Sequence, residues 1–65
     1  MTHTTTKMLN DKITYTNEIL NTNITNQSCN GYEYLRLNGE NIFNGTKREC
    51  IAFLNGLVQY QLLNA

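Results

Sequence analysis

The sequence predicts a small α+β domain in which a β-hairpin is flanked by two helices (α-β-β-α), and three observations carry that expectation. Asn38-Gly39 separates two apolar-rich runs, residues 32–37 and 40–43. A type I′ hairpin turn needs positive φ at both central positions, which Asn and Gly adopt most readily. Thr46-Lys47-Arg48-Glu49 has the spacing of a capping box, in which the threonine hydroxyl and the glutamate carboxylate each satisfy a free amide at a helix start. Leu9, Ile13, Leu20 and Ile24, with Thr16 in the gap, fall near one face of a helix.

Taken in order, residues 1–6 are polar and predict a loose tail able to cap the next segment. Residues 7–25 favour a helix, with Lys7 and Asp11 spaced as an i,i+4 pair. The competing reading is a strand, because Ile13-Thr14-Tyr15-Thr16 alternates and is β-favouring. Residues 26–31 read as a loop by composition, ending in Asn30-Gly31. The hairpin register predicted from the turn pairs Leu37 with Glu40, Arg36 with Asn41, Leu35 with Ile42 and Tyr34 with Phe43. One face then holds Leu35, Leu37 and Ile42, and the other Tyr32, Tyr34, Arg36 and Phe43. Neither face is plainly polar, so both call for cover.

The second helix follows the capping box, with Cys50, Ile51, Leu54, Leu57, Val58 and Leu62 as its stripe. Asn55-Gly56 leaves two endings open: a helix stop followed by a strand through Val58, Tyr60 and Leu62, or one helix to about Leu63. The second is favoured, since a helical glycine costs only about 1 kcal/mol.

The 65 residues make one domain, 1–65, with a marginal core; chains of about 60 residues hide only about 60% of their unfolded surface. A lone hairpin is marginal in water, so a homodimer joining two hairpins into a larger sheet is expected. Five basic residues balance five acidic ones, against the basic footprint usual for nucleic-acid binders. The N-terminus lacks a secretory pattern, which predicts a cytoplasmic protein with free thiols at Cys29 and Cys50. The sequons at Asn23, Asn26 and Asn44 then carry no glycan, and no apolar run suggests a membrane span.

No catalytic set stands out. Cys50 falls on the inner helix face and reads as a small buried hydrophobe. His3, Cys29 and Cys50 lack zinc-ligand spacing, and Glu18, Glu33, Glu40 and Glu49 form no local acid–base pair. The expectation is no enzyme, no cofactor and no metal. The binding candidates are Tyr32, Tyr34, Arg36 and Phe43, whose aromatic face suits a protein partner or stacked bases. The plainest alternative is that these rings are core beneath a helix or within a dimer interface. Lys47 and Arg48, at a helix start, could hold a phosphate or an acidic side chain, although solvated surface charge explains them as well.

The pattern Y-x-Y-x-x-L-N-G-E-x-I-x-x-G-T-K-x-E-C-x-A-F-L-x-G-L, from Tyr32 to Leu57, resembles short proteins of phages and related mobile elements, over less than half of the chain. That resemblance implies a small accessory protein that binds and inhibits a host protein, for example a component of a defence system, in the host cytoplasm. The alternative is a small nucleic-acid-binding module using the aromatic sheet face.

Overall fold

The computed structural model describes residues 3–64. The chain runs α1 (Thr6–Leu20), β1 (Ile24–Cys29), β2 (Tyr32–Leu37), β3 (Glu40–Gly45) and α2 (Lys47–Leu63), with an antiparallel sheet in the order β1-β2-β3. The predicted helix–hairpin–helix frame is present, with one strand added. The segment read as a loop forms most of β1 and its turn, and Ile24, expected on the helix face, starts that strand. Composition hid it for a physical reason. Asn, Gln and Ser are poor strand formers where packing decides, but only Ile24 of β1 is buried, and pairing with β2 supplies the rest.

Both hairpin turns use the same chemistry. Asn30 and Gly31 have φ of 52° and 83°, and Asn38 and Gly39 have 54° and 85°, as a type I′ turn requires.

Thr5 caps α1, its hydroxyl accepting from the Met8 amide at 3.1 Å. Of the tail expected over residues 1–6, Met1 and Thr2 lie outside the described residues, and Thr6 already belongs to α1. The Lys7–Asp11 pair forms at 2.8 Å on the exposed side. At the other end Asn21, in the left-handed conformation, closes the helix, and Asn17 fixes the way out. Its carboxamide Oδ1 accepts from the Ile24 N–H at 2.7 Å and from the Thr22 hydroxyl at 2.9 Å. Its Nδ2 donates to the Ile24 carbonyl at 3.0 Å.

The capping box predicted for α2 is present. The Thr46 N–H donates to Glu49 Oε1 at 2.8 Å, and the Glu49 N–H donates to Thr46 Oγ1 at 3.2 Å. The helix continues past Asn55-Gly56 to Leu63, so residues 58–62 are not a strand. Leu54 and Val58 are both buried, one on each side of the glycine in sequence, and that shared burial outweighs the local stop signal. Gly56 sits in a helix with open space around it. Gly56→Ala is therefore expected to stabilise the fold by about 1 kcal/mol, read as a higher urea midpoint at unchanged slope.

Leu9 and Ile13 of α1, Ile24 of β1, Leu35 of β2, and Cys50 and Leu54 of α2 form one core cluster. Both helices contribute to it, so both lie on the Leu35 side of the sheet, giving two layers only 15 Å across at the thinnest. Thr16 is buried on α1 with its hydroxyl lacking a partner among the described residues, a local cost set against that packing. β1 also bears on the hairpin-mediated dimer. That expectation rests on a lone two-stranded ribbon being marginal, and the chain supplies the third strand itself.

Candidate functional site

Because both helices lie on one side, the other side of the sheet is open. Residues alternate across a strand, and the pairing of Thr25 with Arg36, Gln27 with Tyr34 and Cys29 with Tyr32 places all six on that open face. β3 adds Asn41, opposite Arg36, and Asn44, opposite Tyr34. Tyr32 is about half exposed (51%), Tyr34 is partly covered and Arg36 is exposed. Arg36 makes no ion pair among the described residues. Among the described residues of the sheet it is the only charge on this face, since Glu33 and Glu40 point to the helix side opposite Gly45 and Leu37.

Phe43 does not join this face. The register follows the turn for two pairs and then slips at a β-bulge: Arg36 pairs with Asn41, Leu35 with Phe43, and Ile42 is the extra residue. A one-residue slip sends every later side chain to the opposite face. Phe43 therefore lies under α2, stacked on Phe53 with ring centroids 4.6 Å apart and planes 12° apart. Ile42 also packs against the core. The aromatic platform keeps two rings on the central strand and loses the third.

Lys47 and Arg48 also separate. Lys47 Nζ lies 3.3 Å from Glu33 Oε2, while Arg48 faces solvent. The capping box already engages the Thr46 and Glu49 amides at this helix start. At this helix start Glu49 and Glu33 therefore engage the Thr46 amide and the Lys47 ammonium.

Outside the predicted binding set, Glu33 is the group whose setting is most unusual. It shares the helix-side face of β2 with Leu35 and Leu37 and is 1% exposed. Ser28 Oγ lies 2.7 and 2.8 Å from its two carboxylate oxygens, and Asn26 Nδ2 donates at 3.0 Å. Burial pushes its pKa up, but the Ser28 and Asn26 hydrogen bonds and the Lys47 ammonium outweigh that, holding it below the usual glutamate range. The signal was available: the parity of Glu33-Leu35-Leu37 puts the carboxylate on the apolar side. Its partners Asn26 and Ser28 were hidden because β1 read as a loop.

Gly45 and Cys50 close this corner. A Cβ on Gly45 would meet Glu49 Oε1 at 2.8 Å and the Phe43 ring at 3.2 Å, so a side chain here would have to displace the Glu49 carboxylate from its place in the cap. The Cys50 thiol is fully buried, 3.7 Å from the Glu33 carbonyl and 3.8 Å from that of Gly45. Burial, then the Glu33 and Glu49 charges, push its pKa up, which keeps it a thiol rather than a nucleophile. Cys29 is free and exposed. Among the described residues no three His, Cys, Asp or Glu side chains cluster to hold a metal ion, no pocket opens, and no helix is long and apolar enough to cross a membrane.

Fold and site together define a two-layer α+β domain, braced inside by a buried carboxylate and open on one sheet face. No protein-family model matches the chain, and comparisons with curated proteins and with solved structures returned no match.

Proposed function

We propose that this protein is a non-catalytic binding protein that docks on another protein through the open face of its sheet. In line with the resemblance to short phage accessory proteins, the partner is a host protein whose activity it blocks in the host cytoplasm, such as a defence component. The observation that carries this reading is the Tyr32–Tyr34–Arg36 row on the open face of the central strand, with both helices on the other side. Tyrosine and arginine are enriched at binding hot spots.

Nucleic-acid binding has less support. The face offers one cation, Lys47 is committed to Glu33, and Phe43 is withdrawn. Phosphate contacts of that number give little affinity and a shallow salt slope. The test is capture from host lysate by the tagged protein and by Tyr34→Ala and Arg36→Ala variants, with and without nuclease. One protein held through nuclease treatment, and lost from both variants while their melting curves stay within about 0.5 kcal/mol of the parent, supports the reading. Capture that vanishes with nuclease, or variants that bind as well as the parent, overturns it.

A further inference from the structure

The backbone pattern of β1 shows which of its groups face outward. Asn17 takes both the N–H and the C=O of Ile24, so this residue turns its peptide groups away from β2. In an antiparallel pair, residues alternate between exchanging both bonds with the partner and exchanging neither. Thr25, Gln27 and Cys29 therefore bond to β2, and Asn26 and Ser28 turn their N–H and C=O outward, as Ile24 does. The same alternation makes Cys29–Tyr32 the bonded pair that closes the Asn30-Gly31 turn, as a two-residue turn requires.

The Asn17 carboxamide thus occupies the place where the peptide group of a further strand would sit. The next two rungs, Asn26 and Ser28, have no backbone partner among the described residues. Natural sheets blunt such edges with charges, proline or bulges. β3 does so, with its bulge at Ile42 and exposed Glu40. β1 does not: there is no charged residue between Glu18 and Glu33, the chain holds no proline, and β1 pairs without a bulge.

We propose that the free edge of β1 pairs antiparallel with β1 of a second copy of this chain, about a two-fold axis at Gln27. In this register Asn26 lies opposite Ser28 of the second copy, and each pair exchanges both backbone bonds. Gln27 lies opposite Gln27 of the second copy as a close non-bonded pair on the open face. The register uses the two free rungs and leaves Asn17 on Ile24. A symmetric pairing is self-complementary, and the uncharged edge brings no like charges together. The result is a continuous sheet that presents two Tyr32–Tyr34–Arg36 rows on one side, which equips the dimer to engage a symmetric target twice. This dimer is distinct from one formed through the β2–β3 hairpin.

Sedimentation of the full chain up to about 1 mM tests it without any binding partner, so its failure is separable from failure of the proposed function. The expected result is a monomer–dimer equilibrium in which the amides of Asn26 and Ser28 exchange more slowly as concentration rises, while those of Thr25 and Gln27 change little. Because residue 27 faces its own copy, Gln27→Lys and Gln27→Glu should each weaken the dimer by about tenfold or more at low salt. Their equimolar mixture should restore it, with circular dichroism unchanged throughout. A monomer across the whole range overturns the proposal. So does a dimer indifferent to both charges, or one that leaves Asn26 and Ser28 exchange unaltered.

Discussion

Leu35→Ala is expected to remove a large share of the chain's stability, lowering its urea midpoint sharply. Leu35 is fully buried at the centre of the middle strand and meets residues from both helices in the core cluster. Removing its side chain forfeits the transfer free energy and leaves a cavity, at a cost of about 2–5 kcal/mol. A domain of this size has on the order of 3–10 kcal/mol in all, and this one has no disulfide to limit the unfolded ensemble. Urea denaturation followed by circular dichroism measures the loss. Leu35→Met serves as the volume-conserving control and should cost less than about 1.5 kcal/mol. A midpoint for Leu35→Ala equal to that of the parent would remove Leu35 from the centre of the core.

Glu33→Ala is expected to cost about 3 kcal/mol, the lower end for breaking a buried ion pair. The reason for the lower end is Lys47, whose side chain is 29% exposed and can turn to water once its partner is gone. Asn26 and Ser28 cannot recover as easily, because β1 is held in register by its pairing with β2. The same carboxylate gives the fold a defined acid sensitivity. Its native pKa lies below the unfolded value of about 4.3, so the native state favours the ionised form. Its contribution is complete above the unfolded pKa and is lost as pH falls through the native one. Urea midpoints measured at pH 7 and at several values from about 4.3 downward should fall more steeply for the parent than for Glu33→Gln, which has no charge to lose. Parallel pH profiles would mean that Glu33 is not the group responsible.

Cys50 illustrates the reach of the sequence. The helical stripe already marked it as an inner-face residue, and its burial follows from that periodicity. The capping box at Thr46 and Glu49, the Asn38-Gly39 turn and the Lys7–Asp11 pair are equally local, each set by residues at most four apart. Local chemistry of that kind is encoded by spacing alone.

The candidate site was legible only in part. Tyr32, Tyr34 and Arg36 share a face because side chains alternate along a single strand, and the sequence suffices for that. Phe43 joins them only if the register set at the turn runs on unbroken. The bulge at Ile42 is decided by whether Phe43 gains more on the open face or stacked on Phe53, and that comparison exists only once α2 packs on the sheet.

The two helices, the two asparagine–glycine turns and the alternation of β2 follow from local sequence, because propensity, capping and turn geometry act over a few residues. The third strand, the bulge, the side of the sheet left open and the burial of Glu33 among Ser28, Asn26 and Lys47 arise only on packing. Each of those depends on packing free energy between segments distant in sequence. β1 has almost no apolar signal of its own, and it is a strand because β2 offers it a hydrogen-bonding edge and Asn17 fixes its first residue there.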